Sequence, residues 1–147
     1  MEIRDAVATD LDWIMAQMEA FADFYGSELK LDSNKEYGRG YVTSLIDSQY
    51  VKIASDGPER LGIIAGFKSP HHFNPDITIF SELLWWVPAE HRNTKAGAAL
   101  LNDFMEYGKA NADWISFSLE DNTPIDDSFL LRRGFRLKEK AYLMEVR

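Results

Sequence analysis

The chain has 147 residues, carries 24 acidic against 16 basic side chains for a formal net charge of -8, and contains no cysteine. The acidity argues against nonspecific binding to nucleic acid, and the missing cysteine excludes disulfides, thiolate-built zinc sites and a cysteine nucleophile. The length predicts one domain, residues 1–147, whose core needs no metal or disulfide.

The start of the chain and its longest apolar runs bear on its location. Residues 1–10 are charged and lack an apolar run, and no stretch approaches the roughly 18 apolar residues of a membrane span. We therefore expect a cytoplasmic protein without a signal peptide and without a membrane partner. The negative charge is compatible with a cationic ligand, although solubility alone also accounts for it.

Hydrophobic periodicity and turn residues divide the chain into short strands and helices. In chain order they predict strand 3–7, helix 10–25, helix 37–47, strand 51–54, strand 61–67, strand 78–87, helix 96–110, strand 114–119, helix 124–133, and closing strands 135–137 and 142–146. Asp10 is expected to cap the first helix and Gly26 to end it, because Asp is favoured at helix starts and Gly at helix ends. Residues 27–36 are mostly polar and predict a loop.

The order of these elements predicts the fold class. Hairpins alternate with strand–helix–strand crossovers, which is typical of a mixed α/β (α+β) sheet flanked by helices. The turn Asp56-Gly57-Pro58, for example, joins two apolar strands as a hairpin. We expect a mostly antiparallel central sheet of six to seven strands.

One connection has the composition of a phosphate site. An apolar strand ends at Val87-Pro88, a polar loop follows, and a helix begins with small residues at Ala96. Unpaired N–H groups and the helix dipole favour an anion at such a helix start. Arg92 and Lys95 add positive charge there. The segment therefore predicts a diphosphate cradle over residues 92–98.

The same residues resemble the acetyl-CoA loop of the Gcn5-related N-acetyltransferase (GNAT) family, written Gln/Arg-x-x-Gly-x-Gly/Ala. Arg92 and Gly97 match the first and last positions, whereas Lys95 replaces the middle glycine. A second likeness is Asn122, a short predicted helix, and then Gly134-Phe135. The order of elements extends the resemblance over nearly the whole chain, and structural context is what such motifs require.

The resemblance implies a GNAT-like fold and an N-acetyltransferase that moves an acetyl group from acetyl-CoA to a primary amine in a ternary complex, without a metal. The acceptor would be a small-molecule or peptide amine, cationic in character, and the oligomeric state stays open between monomer and homodimer. The implied cofactor-binding residues are Trp86, Val87, Arg92, Asn93, Thr94, Lys95, Ala96, Gly97, Ala98 and Asn122. The implied acceptor-binding residues are Phe24, Tyr25, Tyr37 and His72, although core packing also explains the aromatic ones.

The catalytic groups are predicted from their surroundings. Glu82 stands among apolar strand residues, which raises a carboxyl pKa towards a value useful for a general base. An exposed strand carboxylate or an ion pair with a lysine is the alternative. The family commonly carries a Tyr as general acid four residues before the Gly of Gly-Phe, where this chain has Leu130. Ser128, Tyr142 or solvent would then supply the proton.

Other readings of the chain stay open. His71-His72 lacks a third ligand at a recognisable spacing, so we expect a surface loop rather than a metal site. The acidic residues around Glu120 and Asp126 could attract an ammonium group or could simply be solvated. A catalytically inactive GNAT-fold binding or regulatory protein, or an acidic protein-interaction module, would also fit the missing Tyr and the altered loop.

Overall fold

The computed structural model describes residues 1–26 and 34–147, whose strands form one five-stranded sheet in the order β1-β2-β3-β4-β5. The strands are β1 (Glu2–Asp5), β2 (Tyr50–Asp56), β3 (Glu59–Pro70), β4 (Thr78–Trp86) and β5 (Trp114–Ser116), and the helices are α1 (Leu11–Tyr25), α2 (Lys35–Ser48), α3 (Ala96–Asn111) and α4 (Ser128–Leu131). Strands β1 to β4 pair antiparallel, and β5 joins β4 in parallel. None of the helices described is long and apolar enough to cross a membrane.

The mixed, mostly antiparallel sheet flanked by helices is confirmed, but the expected number of six to seven strands is wrong for the described chain. Residues 135–137 and 142–146 form no strand, and the large apolar side chains of the second segment face solvent. Strand β5 is short, so a further strand could form few hydrogen bonds with its outer edge. The predicted helix at 124–133 is likewise limited to α4, and most of the loop predicted at 27–36 lies outside the described residues.

Two apolar clusters cover the two faces of the sheet. The cluster beneath α1 and α2 contains Ala6, Ile14, Val42, Leu45, Val51, Ile53, Ile63, Ala65 and Trp86. The cluster beneath α3 contains Tyr50, Ala54, Leu61, Ile64, Phe80, Ala96, Leu100 and Phe104. Alternate residues of β2 and β3 belong to opposite clusters, as expected when both faces of a strand are covered.

Strand β4 changes phase at a bulge. Its pairing with β3 joins Ala65 to Leu84 and Gly66 to Glu82, so Leu83 has no partner. One extra residue in a strand inverts the alternation of the residues that follow it. For this reason Phe80 packs beneath α3, whereas Trp86, an even number of residues later, packs beneath α1.

Gly66, opposite the bulge, is a position where backbone and core approach closely. A Cβ added there would lie 2.7 Å from the Phe104 ring and 2.9 Å from the Ser81 carbonyl oxygen. We predict that Gly66→Ala lowers the free energy of unfolding by about 1–3 kcal/mol, because a packed core resists added volume. Urea denaturation followed by far-UV circular dichroism measures this loss.

Gly40→Ala is the matched control, because Gly40 is exposed in α2 and a Cβ there meets no atom within 4 Å. This change should raise the free energy of unfolding by up to about 1 kcal/mol, the helix preference of Ala over Gly. Equal stability of Gly66→Ala and the wild type would contradict the close approach described at the bulge.

Asp10 joins the first strand to the hairpin. The prediction that its side chain caps α1 is wrong, because that side chain makes no capping hydrogen bond. Its carboxylate is 1 % exposed and accepts hydrogen bonds from Arg4 at 2.8 and 2.9 Å, from Arg60 Nε at 2.7 Å and from the Val7 amide at 2.8 Å. Charge-assisted bonds from two guanidinium groups outcompete the neutral amides of a helix start. The hydrogen bonds from Arg4 hold the pKa of Asp10 well below its ordinary 3.8.

We predict that Asp10→Asn lowers the free energy of unfolding by about 1–3 kcal/mol at neutral pH, because the two guanidinium groups lose their charged acceptor. The lowered pKa of Asp10 means that its contribution is present above the ordinary value of 3.8 and is lost as the pH falls below it. The gap between wild type and variant in urea titrations should therefore close in acid. A gap that stays constant down to the acid range would contradict the network.

Candidate functional site

The sheet opens between β4 and β5. The two strands pair from Ile79 with Trp114 to Ser81 with Ser116, and no further pair follows. Strand β4 continues to Trp86, paired on its other side with β3. The edge of β4 beyond Ser81 thus has no strand partner in residues 1–26 and 34–147, and such an edge can bind an extended chain by its backbone groups.

Glu82 lies at the point where the two strands separate. Its Oε2 accepts a hydrogen bond of 3.4 Å from the Ser118 amide, in the segment that leaves β5. Removal from water raises the pKa of Glu82 to about 7, the Ser118 bond opposes this rise, and the negative charge of Glu120 adds to it. A carboxylate with this pKa accepts a proton effectively near neutral pH.

The loop between β4 and α3 presents backbone donors. It passes through a short 3₁₀ helix at Ala89–His91 before α3 begins. The Thr94 amide bonds the His91 carbonyl at 3.0 Å, and the Thr94 hydroxyl accepts from the Ala96 amide at 3.2 Å. By contrast, the described part of the chain offers no acceptor to the amides of Asn93, Lys95, Gly97 and Ala98.

These open amides give the start of α3 the character of an anion site. The amides of Gly97 and Ala98 belong to the first helical turn, where the helix dipole adds partial positive charge. The Trp85 indole N–H donates to the Gly97 carbonyl at 3.1 Å, which fixes the helix start against β4. The amides of Arg92, Thr94 and Ala96, by contrast, already have acceptors within the protein.

The side chain of Arg92 points away from this amide cradle. Its Nε donates to the Val87 carbonyl at 3.0 Å. Its guanidinium carbon lies 4.6 Å from the centre of the Phe24 ring and 4.8 Å from that of Trp86. The guanidinium of Arg92 is therefore directed towards α1, whereas Lys95 is exposed beside the open amides.

Of the predicted acceptor residues, the structure brings together the two at the end of α1. Phe24 and Tyr25 lie with their ring centres 5.6 and 6.4 Å from that of Trp86. The Tyr25 hydroxyl shares a hydrogen bond of 3.3 Å with Thr123 Oγ1. Tyr37, exposed on α2, and His72, exposed in the β3–β4 turn, make no ring contact with this group among the residues described.

The candidate acids are not hydrogen-bonded to Glu82. The Ser128 hydroxyl accepts from Arg132 at 3.2 Å at the start of α4. Tyr142 is 90 % exposed in the irregular C-terminal segment, and Leu130 is the buried residue of α4. Within the described ranges, no hydroxyl is hydrogen-bonded to the carboxylate of Glu82.

Asn122 and His71 make hydrogen bonds within the protein. The Asn122 side-chain amide donates to the Tyr25 carbonyl at 3.1 Å, which gives the last carbonyl of α1 a hydrogen-bond partner. The His71 Nδ1 atom accepts from the Phe73 amide at 3.1 Å within the β3–β4 turn. Over residues 1–26 and 34–147, no group of at least three His, Asp or Glu residues is arranged to hold a metal ion.

Sequence reasoning missed several residues that shape the site. Gln17 accepts the Trp86 indole N–H at 3.0 Å, and the Ser118 amide reaches Glu82. Neither had a local signal, because both contacts join distant parts of the chain. Gly66 had one, since a glycine within an apolar strand indicates a bulge or a close approach.

Comparison with known proteins identifies the fold. No family model and no curated protein matches the chain. Among solved structures, a GCN5-related N-acetyltransferase from Ralstonia eutropha JMP134 is 18% identical, with a TM-score of 0.78 over 99% of both chains. A predicted acetyltransferase with acetyl-CoA from Clostridium acetobutylicum is 14% identical, with a TM-score of 0.75 over 99% of this chain and 96% of that one.

A transcriptional regulator from Bacillus halodurans C-125 is also similar, at 16% identity and a TM-score of 0.73 over 98% of both chains. The chain therefore has the fold of the GCN5-related N-acetyltransferases. At these identities the likeness concerns the fold, and proteins with one fold can differ in activity.

The raised pKa of Glu82 means that the ionised form of this side chain destabilises the folded protein. The charged form is disfavoured by burial, so its cost appears as the pH rises from the ordinary 4.5 towards about 7 and is complete above it. We predict that Glu82→Gln raises the free energy of unfolding above that pH, on the order of 1–3 kcal/mol, and has no such effect below the ordinary pKa. Urea titrations at several pH values measure the difference.

Glu145→Gln is the matched control, because Glu145 is exposed, loses the same charge and does not contribute to the raised pKa of Glu82. Its effect should stay within about 0.5 kcal/mol at every pH. A Glu82→Gln variant that is no more stable than the wild type in alkaline solution would contradict the burial cost.

Proposed function

We propose that the protein is an N-acetyltransferase that moves an acetyl group from acetyl-CoA to a primary amine. The observation that carries this proposal is the opening of the sheet after Ser81 and Ser116, with Glu82 where the two strands separate and open amides in the loop that follows β4. The fold shared with GCN5-related N-acetyltransferases supports it, and so does a neighbour described with acetyl-CoA.

The cofactor fits the donors that the chain offers. The amides of Asn93, Lys95, Gly97 and Ala98 would hold the diphosphate of acetyl-CoA, with the dipole of α3 behind them. The free edge of β4 near Trp86 and Val87 would pair with the amide groups of the pantetheine arm, as an added strand does. When bound, the thioester supplies an activated acetyl group, and no metal is required.

Glu82 would act as the general base. Its pKa of about 7 lets it take a proton from an ammonium group near neutral pH, directly or through a water molecule. The neutral amine then attacks the thioester carbon while both substrates are held in place, and this positioning supplies much of the rate gain. Ser128, Tyr142 or solvent would return a proton to the leaving thiolate.

The acceptor is proposed to be a cationic small-molecule or peptide amine. The protein carries a net charge of -8, and Glu120 lies close enough to Glu82 to affect its pKa. A field of this sign raises the local concentration of a cation. The rings of Phe24 and Tyr25, beside Trp86, offer apolar and aromatic contacts for such a ligand.

A second candidate is a GNAT-fold protein that binds but does not acetylate. Leu130, buried where the family commonly places a Tyr, favours it, and so does the exposure of Tyr142. A similar structure is described as a transcriptional regulator. This candidate allows binding of CoA but excludes acetylation of any amine.

We predict that acetyl-CoA stabilises the protein against heat. A ligand at about 100 times its Kd contributes about 2.7 kcal/mol, which corresponds to a rise of about 5–10 °C in the Tm of a domain of this size. Differential scanning fluorimetry with acetyl-CoA and with CoA measures the shift. The same Tm with and without either compound would count against the amide cradle.

Ala98→Glu tests the cradle directly. A carboxylate in the first turn of α3 is stabilised by the helix dipole but repels a diphosphate. The variant should therefore fold normally and lose the thermal shift. Ala98→Gln, with the same shape and no charge, should retain the shift. Equal shifts in the two variants would show that the diphosphate lies elsewhere.

We predict that kcat/KM for acetylation rises with pH through about 7 and then levels, because Glu82 must be ionised to accept a proton. Glu82→Gln should lower turnover by about 10²–10⁴-fold and abolish this titration, while the affinity for CoA stays close to that of the wild type. A thiol-release assay with a panel of amines gives the profile, and calorimetry gives the affinity. Undiminished turnover would remove Glu82 from the role, and no turnover with any amine despite CoA binding would favour the second candidate.

A further inference from the structure

Arg92 lies against a group of aromatic rings that comes from two elements. The rings of Phe21, Phe24 and Tyr25, at the end of α1, meet Trp86, at the end of β4. The guanidinium carbon of Arg92 lies within 5 Å of two of the ring centres, those of Phe24 and Trp86. These distances are within the range of a cation–π interaction. We call Phe24, Trp86 and the space that the guanidinium fills the aromatic notch.

The aromatic notch is accessible from solvent at the guanidinium. Arg92 is itself exposed, and Phe24 is 46 % exposed, although Trp86 is 6 % exposed beneath them. A change in the side-chain rotamer of Arg92 would therefore uncover ring faces without moving the core. An exposed arginine is free to make such a change, because no carboxylate among the described residues holds it.

The electrostatics around the aromatic notch favour a cation. Helix α1 ends at Tyr25 with no basic residue in its last turn, so the negative end of its dipole is not balanced within the helix. Asn122 bonds the Tyr25 carbonyl, which brings the acidic segment containing Glu120 and Asp121 to the same end of the helix. Arg92 places a positive charge at this end of the helix, over the ring of Phe24.

Arg92 also occupies a backbone group of the proposed cofactor site. Its Nε donates to the Val87 carbonyl, at the end of the free edge of β4. A pantetheine amide that pairs with this edge would compete for the same oxygen. The diphosphate at the neighbouring amides would attract the guanidinium, since Arg binds phosphate with two parallel hydrogen bonds.

We propose that the aromatic notch is the subsite for the positive charge of the acceptor, and that Arg92 occupies it until the cofactor binds. The ligand class is an alkylammonium or guanidinium group, which binds to the faces of Phe24 and Trp86. Arg92 and the ligand cation exclude each other, so binding of CoA strengthens binding of the cation. Linkage requires the reverse as well: a cation in the aromatic notch strengthens binding of CoA.

The link to CoA rests on the proposed function, whereas the competition between Arg92 and a cation does not. The test therefore starts without CoA. The full chain is labelled with ¹⁵N, and tetramethylammonium is titrated while the indole N–H resonance of Trp86 is followed. Neopentyl alcohol, of similar size and no charge, is the neutral probe.

Arg92→Gln should bind tetramethylammonium at least about threefold more tightly than the wild type, the scale of one exposed cation–π contact. Lys95→Gln is the matched control, because it removes the same charge from the same loop without an aromatic contact, and it should bind like the wild type. Adding Phe24→Leu to Arg92→Gln keeps an apolar side chain but removes the ring, and should abolish the gain. Neopentyl alcohol can enter the space that Arg92 leaves but has no cation–π attraction, so its gain in Arg92→Gln should be smaller than that of tetramethylammonium.

The proposal is overturned if Arg92→Gln binds the cation no more tightly than Lys95→Gln, or if the gain survives Phe24→Leu. The titrations are then repeated with saturating CoA. The wild type should gain affinity for tetramethylammonium, and Arg92→Gln should not. If CoA binds and the wild type gains no affinity for tetramethylammonium, the role of Arg92 as the link between the two sites is overturned. If CoA does not bind at all, the proposed function fails, while the titrations without CoA still decide whether the aromatic notch is a cation subsite.

Discussion

The structure depends on one constraint: the ladder between β4 and β5 ends after Ser81 and Ser116. Backbone groups of β4 beyond that point must take other partners, so a strand edge is left open inside a covered sheet. The bulge at Leu83 and the small size of Gly66 keep β4 bonded to β3 while it turns. The opening therefore arises from the register of the core and not from a flexible loop.

Two carboxylates show how the surroundings assign a role. Asp10 is buried and Glu82 is partly buried, yet their pKa values move in opposite directions. Asp10 accepts bonds from two guanidinium groups, so it stays ionised and stabilises the fold. Glu82 has one long bond from a neutral amide, which does not offset burial. A carboxylate of the second kind costs stability, and such groups persist where they act on a ligand.

Local sequence determined much of the fold but less of the site. The helices and the first strands follow from periodicity, and Gly26 ends α1 with a φ of 60 as its position indicates. The closing strands could not be judged from their own residues, because a strand forms only when a neighbouring edge accepts it, and β5 is short. The loop at 92–98 and Glu82 were predicted as site candidates from their composition and their neighbours in sequence. The direction of Arg92 was not, since it depends on Phe24, far away in sequence.

The contacts of Arg92 also limit how strongly two sites can be coupled. Its bond to the Val87 carbonyl and its place over two rings are exposed interactions. Each is worth about 0.5–1.5 kcal/mol in such a setting. A ligand shifts an equilibrium only by its differential interaction with the two states, so the two contacts together limit the coupling to about 1–3 kcal/mol, or about fivefold to 150-fold. Arg92 can therefore bias the order in which two ligands bind, but it cannot close either site.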